Sequence, residues 1–267
     1  MKIALCLHGL VGTNNKYGHG NKNINYKIGH QHFKNHVIDV NENVDVFIHT
    51  WSENYKDKLA EIYNPVAIKT EPQPSSGLEN LPLELGFATW PHQNFPAAIK
   101  AAGLHANYCR WKSVKEVMTL VNNSNTKYDW ILLTRFDIAF LVDFDFSKYD
   151  NSKFYAQGPV GPNEGGIDLI NDLWFFSNQE KMSTFSKLFD NLGAFSMKKN
   201  GDLDIDTGWQ NLYSEHYFSN HRLARIHLQE TGIHDDLEYL FKREWTGAAG
   251  KLSSDTPLVR WHYMKKV

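Results

Sequence analysis

Short apolar runs that alternate with helix-length segments constrain the fold of this chain more than any other feature. Residues 2–7 form one such run, which ends at His8-Gly9, and residues 44–50 and 65–70 form two more. Between the first two runs, apolar residues recur at near-helical spacing: Ile24, Ile28, Phe33, Val37 and Val40. A strand, a helix and a second strand in this order predict a parallel crossover.

The most apolar run, residues 130–134, predicts a central strand, and a helical pattern over residues 111–121 precedes it. Later segments at 153–157, 172–176, 225–228 and 258–263 have strand-like composition. Ser177 and Glu180 have the spacing of a capping box and predict the start of a helix. This order of elements predicts one α/β domain with a central, mostly parallel sheet flanked by helices.

Composition excludes several classes of protein. The net charge of −2 gives no overall field that would attract nucleic acid. We expect no membrane span, because no segment is long and apolar enough. With Cys6 and Cys109 as the sole cysteines and no leader-like N-terminus, we expect a cytoplasmic protein of a bacterium or of a virus-infected host.

Motifs of three enzyme classes are missing from the sequence. It has no Gly-x-Ser-x-Gly elbow of an α/β-hydrolase. It also lacks a P-loop and a Gly-x-Gly-x-x-Gly turn after the first strand, which argues against a P-loop kinase and a dinucleotide oxidoreductase. The chemistry must therefore come from other residues.

In open α/β sheets, ligands bind at the carboxyl ends of the strands. Three predicted strand ends carry candidate residues: His8-Gly9, Thr50-Trp51 and Arg135-Phe136-Asp137. At the third, a carboxylate could hold Mg²⁺ or Mn²⁺ against a diphosphate, and an arginine could pair with phosphate directly. The alternative is a structural ion pair between Arg135 and Asp137.

The sequence resembles bacterial and viral polysaccharide glycosyltransferases of the GT-A superfamily across most of residues 1–190. The resemblance rests on five segments in a fixed order: residues 2–9, 45–51, the helix with Arg110-Trp111, residues 128–137 and 171–177. It implies a GT-A-like, Rossmann-type domain over residues 1–267, with a nucleotide-sugar-binding half (1–140) and an acceptor-binding half (141–267).

This resemblance also implies the activity. The enzyme would transfer a hexosyl or pentosyl group from a nucleotide-sugar to a hydroxyl of a glycan acceptor, in the synthesis of a surface or capsid glycan. The first strand ends would hold the nucleotide, through His8, Gly9, Thr50 and Trp51. Asp137 would be the acid of the metal-binding DxD motif, with Arg135 standing where the first Asp would be, so that the arginine could partly replace the Mn²⁺ or Mg²⁺ ion.

Other positions compete for these roles. A late histidine, His262, would complete the metal shell in the same family, or it is a structural residue. Literal DxD strings occur at 143–145 and 204–206. Asp172, Glu164 and Glu215 are the candidate general bases of an inverting reaction, and Asp172 is the preferred one.

Two further interpretations stay open. His19, His30, His32 and His36 cluster in sequence, but His30, His32 and His36 do not share one helical face, so we expect them to be solvated; metal binding is the alternative. Instead of an enzyme, the chain could be a non-catalytic nucleotide- or carbohydrate-binding module with a degenerate transferase site.

Overall fold

The computed structural model describes residues 1–11, 26–74, 97–160, 169–197, 220–240 and 258–260. The strands in this part of the chain are β1 (Ile3–Gly9), β2 (Val44–Thr50), β3 (Ala67–Thr70), β4 (Trp130–Arg135), β5 (Ile138–Phe140), β6 (Phe154–Ala156), β7 (Pro159–Val160), β8 (Leu169–Ile170), β9 (Trp174–Ser177), β10 (Leu237–Tyr239) and β11 (Leu258–Arg260). The α-helices are α1 (Tyr26–Phe33), α2 (Lys56–Tyr63), α3 (Ala97–Asn122), α4 (Gln179–Ser186), α5 (Leu192–Met197) and α6 (Asn220–Glu230).

Seven of the described strands form the central sheet, in the order β10-β6-β9-β4-β1-β2-β3. β1 pairs in parallel with both β2 and β4, and β2 pairs in parallel with β3. β9 runs antiparallel to its neighbours β4 and β6, whereas β10 is parallel to β6. The predicted α/β class with a mostly parallel sheet is therefore confirmed, with one antiparallel strand inside it.

Helices cover both faces of this sheet. On one face, α3 packs Trp111, Val114 and Val117 against the strands. On the other face, Phe33 at the end of α1 and Leu59 of α2 pack against the opposite side chains of β1 and β2. Because β1 is buried from both sides, residues 3–7 are apolar on both faces of the strand, and this part reads as an unbroken hydrophobic run.

The β4–β5 turn lies unusually close to α1. An added Cβ at Gly29 would lie 2.6 Å from the carbonyl oxygen of Phe136, so glycine is required at this position. The side chain of Phe136 is itself fully buried, which anchors the turn from below. Arg135 and Asp137 flank this anchored residue, so the packing of α1 fixes where they lie.

Two local predictions were wrong. Residues 225–228 were predicted as a strand but belong to α6, whose residues 222–228 are all buried, so the short apolar run carried no clear period. The N-cap of α4 is Asn178 rather than Ser177, because the Asn178 side chain accepts a hydrogen bond from the Lys181 amide at 2.9 Å. Ser177 instead ends β9 and donates to the Lys153 carbonyl.

Candidate functional site

The carboxyl ends of β1, β2 and β4 bring three polar side chains side by side. His8 of β1 is in register with His49 of β2 and with Arg135 of β4. Residues in register on parallel strands point to the same face of a sheet. The face is the one that α3 covers, and α3 contributes Arg110 and Ser113 to it.

Arg135 and Asp137 form a bidentate ion pair. Arg135 Nε donates to Asp137 Oδ1 at 2.8 Å, and Arg135 Nη2 donates to Asp137 Oδ2. The Asp137 side chain is 9% exposed and that of Arg135 is 27% exposed, so the arginine is the partner that solvent reaches. Burial acts to lower the pKa of Arg135, but the carboxylates of Asp137 and Asp172 outweigh it and raise that pKa. The sequence left open whether these residues bind a ligand or form an ion pair with each other, and the structure contains the ion pair.

A second ion pair lies beside the first. Arg110 of α3 approaches the Asp172 carboxylate at 3.3 Å and also donates to the Asp172 main-chain carbonyl. His221 of α6 lies 3.6 Å from the same carboxylate and hydrogen-bonds to the Ile170 carbonyl at 2.9 Å. Asp172 precedes β9 instead of opening it, and its side chain is 6% exposed.

His8 lies among these charges and stays neutral. Burial lowers the pKa of His8 well below its ordinary value, and the positive charges of Arg110 and Arg135 lower it further, while Asp172 opposes them. Its Nδ1 atom is buried and has no hydrogen-bond partner among the described residues. A buried polar atom without a partner is costly and uncommon, which makes His8 a candidate for ligand contact.

A network of buried polar groups fixes the neighbouring strand ends. The Gly9 amide donates to Ser113 Oγ at 3.0 Å, and His49 Nδ1 lies 2.6 Å from the same oxygen. On its other side, His49 Nε2 lies 3.3 Å from Glu71 Oε1. Because a carboxylate can only accept, His49 carries its proton on Nε2, and Ser113 donates to Nδ1.

The other predicted nucleotide contacts lie around this network. Gly9 has φ +103, and no described atom lies within 4 Å of a Cβ built on it. Thr50 is fully buried and accepts a hydrogen bond from the Ser52 amide at 3.1 Å. Trp51 is 5% exposed and packs edge-on against His49, with ring centroids 4.6 Å apart. Contact of these residues with a nucleoside stays a prediction.

The remaining candidates lie elsewhere or outside the described residues. Asp143 pairs with His36 at 2.9 Å, and Asp145 accepts from the Ser147 amide, so neither contacts Arg135 or Asp137 in the structure. The positions that fall outside the described residues are Glu164, Asp204, Asp206, Glu215 and His262.

Sequence reasoning missed the contribution of α3. Asn107, Arg110 and Ser113 recur every three residues on a helix whose later turns are apolar, and all three are buried. Buried polar residues at helical spacing are unusual enough to mark the part of a helix that borders a site. His221 gave no comparable signal, because only the tertiary fold brings α6 to Asp172.

No family model matches the sequence, and no curated protein matches it either. Within the described part of the chain, no helix is both long enough and apolar enough to cross a bilayer.

Proposed function

We propose that this chain is a GT-A-type glycosyltransferase that moves a sugar from a nucleotide-sugar to a hydroxyl of a glycan. The observation that carries the proposal is the juxtaposition of Arg110, Arg135 and the neutral His8 at the carboxyl ends of β1 and β4, where His8 Nδ1 has no hydrogen-bond partner among the described residues. This is the edge of an open α/β sheet where ligands bind. The parallel order of the strands from β3 to β4 is compatible with a nucleotide-binding half.

A diphosphate fits the charges of this site. Arg135 uses two of its five N–H donors on Asp137, and the other three have no hydrogen-bond partner among the described residues. A guanidinium recognises phosphate through paired hydrogen bonds, and such bonds strengthen where water is scarce. Arg135 would thus neutralise the charge that develops on the departing nucleoside diphosphate.

Asp172 is suited to the acceptor side of the same reaction. Its carboxylate lies 3.3 Å from Arg110, and a carboxylate is the group that can take a proton from a hydroxyl. Arg110 also holds the Asp172 backbone, so the carboxylate is positioned from two directions. In an inverting transfer, Asp172 would act as the general base.

Gly9 supports the nucleoside side of the proposal. A glycine at a strand end, with no described atom near the position of its missing Cβ, allows a ligand to approach the backbone closely. The bond from its amide to Ser113 fixes the direction of the chain there. His8, Gly9, Thr50 and Trp51 would line the nucleoside pocket from this edge.

The described residues around Asp137 do not by themselves form a cation site. Both oxygens of Asp137 accept hydrogen bonds from Arg135. Among the described residues, no group of three or more His, Cys, Asp or Glu side chains is arranged to hold a metal ion. A Mn²⁺ or Mg²⁺ ion bound by Asp137 and His262 stays a prediction, because His262 lies outside those residues, and we assign no step to it.

The experiment that tests the proposal is a turnover assay with UDP-, GDP-, CMP- and dTDP-sugars, with Mn²⁺ or with EDTA. We expect one class of nucleotide-sugar to be hydrolysed slowly when no glycan acceptor is present. When an acceptor is added, transfer of the sugar to it should be faster than this hydrolysis. The Mn²⁺ and EDTA arms decide whether Arg135 suffices without a cation. Tight nucleotide binding without turnover of any donor would instead favour a non-catalytic binding module.

A further inference from the structure

Two histidines on one face of the first helix form a pair that the proposed transferase site does not use. α1 continues into a π-helical turn, Lys34–Ile38, in which the Asp39 amide donates to the Lys34 carbonyl at 2.8 Å. His32 and His36 are four residues apart across this junction. Their rings are nearly parallel, with centroids 5.9 Å apart and an interplanar angle of 24°.

The hydrogen bonds of this pair fix which ring nitrogens are available. His32 Nδ1 lies 2.8 Å from the Phe140 carbonyl oxygen, and His36 Nδ1 lies 2.9 Å from Asp143 Oδ1. Both oxygens are acceptors, so each Nδ1 carries the proton and donates it. Each neutral imidazole therefore has its lone pair on Nε2, and no described residue hydrogen-bonds to either Nε2.

The two oxygens that accept hydrogen bonds from the histidine rings come from one short segment of the chain. Phe140 ends β5, and Asp143 follows it by three residues. Within an imidazole ring the lone pair of Nε2 points away from Nδ1, so each Nε2 points away from the oxygen that its Nδ1 contacts. A histidine that binds a metal usually donates its other N–H to a carbonyl or a carboxylate, and this pair has one of each.

The segment is fixed to the π-helical turn by its backbone. The Phe144 amide donates to the His36 carbonyl at 2.8 Å. The Asn41 side chain donates to the Val37 and Phe144 carbonyls, each at 2.7 Å, and is buried. The oxygens that orient the two imidazoles are thus held in place relative to the helix that carries them.

We propose that His32 and His36 bind one divalent transition-metal ion, of the Zn²⁺ or Cu²⁺ type, through their Nε2 atoms. Imidazole nitrogens select such ions over Mg²⁺ or Ca²⁺. With Zn–N bonds of about 2.0–2.1 Å and a tetrahedral angle, two coordinated rings have centroids roughly 5 Å apart, against 5.9 Å in the structure, so both rings must move closer and turn about their side-chain torsions to point Nε2 at the ion. Water or a further ligand fills the other positions, since no group of three ligands occurs among the described residues.

The charges around the pair favour a cation. The Asp143 carboxylate touches His36, and the nearby Lys34 ammonium is neutralised by both oxygens of Asp39 at 2.6 Å. His36 and Asp143 have partly exposed side chains, at 25% and 64%, so an ion can reach the site from solvent. Bound there, the ion would clamp α1 onto the segment that follows β5.

The test is calorimetric titration of untagged full-length protein with ZnCl₂ and, separately, CuCl₂. We expect one ion per chain, and a loss in affinity of at least about tenfold in both His32→Ala and His36→Ala. Asp143→Asn should retain the site but weaken it by roughly tenfold, because an outer hydrogen-bond partner orients the ring. The matched control is His30→Ala on the same helix, whose ring packs on Tyr63 4.7 Å away, and it should bind like wild type.

A spectroscopic measurement separates this site from adventitious binding at other histidines. The electron paramagnetic resonance spectrum of the Cu²⁺ form should show two equivalent nitrogen ligands in wild type and in His30→Ala, and lose one of them in either alanine variant of the pair. The proposal is overturned if wild type binds neither ion. It is equally overturned if His32→Ala and His36→Ala bind as tightly as wild type, or if His30→Ala loses as much affinity as they do.

Discussion

At the scale of single residues, a substitution at Asp172 distinguishes an effect on turnover from an effect on donor binding. Asp172→Asn keeps the size of the side chain and the main-chain carbonyl that Arg110 contacts, but an amide cannot take a proton. We expect turnover to fall by ~10²–10⁴-fold, the usual contribution of a general base. Donor affinity, measured by calorimetry, should stay near the wild-type value. Equal losses in turnover and affinity would place Asp172 in the donor pocket, and unchanged turnover would point to Glu164, Glu215 or a mechanism without a base.

The same scale shows how far residue types alone can be interpreted. The sequence placed Arg135 and Asp137 at the end of a central strand, and the structure confirms that they lie together there. It could not decide between a phosphate-binding arginine and a structural ion pair, because both need the same residues. The decisive quantities are the unequal exposures of the two side chains and the neighbouring pair of Arg110 and Asp172, which come from elements far apart in sequence.

At the scale of elements, the packing of α1 against the β4–β5 turn can be tested through Gly29. In Gly29→Ala, the new methyl group would meet the Phe136 backbone at 2.6 Å, and backbone cannot move aside without shifting the turn. We expect the free energy of unfolding to fall by about 1–3 kcal/mol, as in other overpacked sites. Donor affinity should fall as well, since the turn carries Arg135 and Asp137. Urea denaturation and calorimetry measure the two effects.

The clash with Phe136 and the helix propensity of alanine predict opposite changes in the stability of Gly29→Ala. Alanine is a better helix former than glycine by about 0.8–1.0 kcal/mol, so without the clash the substitution would stabilise α1. Gln31→Ala on the same helix is the matched control, because its exposed side chain contacts Asn35 and not the turn. A Gly29→Ala protein that is as stable as wild type would show that α1 does not approach Phe136 this closely.

The network that joins β2, α3 and Glu71 predicts a dependence of stability on pH. Burial lowers the pKa of His49 from 6.5 to about 4, while Glu71 acts in the opposite direction. Between these two values the unfolded chain binds a proton on His49 that the folded chain does not. The free energy of unfolding should therefore decrease as the pH falls from 6.5 to 4, by about 1.4 kcal/mol per pH unit from this residue.

Comparison of wild type with His49→Gln isolates that contribution. Other buried histidines, such as His8 and His227, also have lowered pKa values and act in both proteins alike. Denaturant curves at pH 5 and pH 7 give the change in the free energy of unfolding with pH. This change should be smaller in the variant, by the equivalent of about one bound proton. Parallel slopes in the two proteins would contradict a neutral, buried His49.

Elements with strong burial on two sides were predictable from sequence, and those with mixed signals were not. β1, β2 and β4 are mostly apolar and largely buried, so their positions were predicted closely. α6 is buried along seven successive residues, including Arg222 and Arg225, so neither a helical nor a strand period stands out. Asn178 and Ser177 are both good caps, and only the backbone geometry shows which one serves α4.

At the scale of the whole molecule, the sheet continues through both predicted halves of the chain. β9, β6 and β10 come from the second half and extend the sheet beyond β4. Asp172, directly before β9, therefore meets Arg110 and His8 from the first half at one edge. A net charge of only −2 leaves the local arrangement of charges, and not a general field, to recruit an anionic donor.

The central claim is that this edge of the sheet binds the diphosphate of a nucleotide-sugar. The most direct measurement uses the nucleotide-sugar that wild type turns over, and compares its turnover by Asp137→Ala and by Asp143→Ala. We predict that Asp137→Ala loses ~10²–10³-fold in turnover, as when one charge-stabilising contact is removed, because Arg135 is no longer held in place. Its fold should persist, checked by circular dichroism and thermal melting, since Arg135 is exposed enough to be hydrated. Asp143→Ala, beside His36, should retain wild-type turnover. Near wild-type turnover in Asp137→Ala would contradict the account, and a loss in Asp143→Ala instead would move the diphosphate site to residues 143–145.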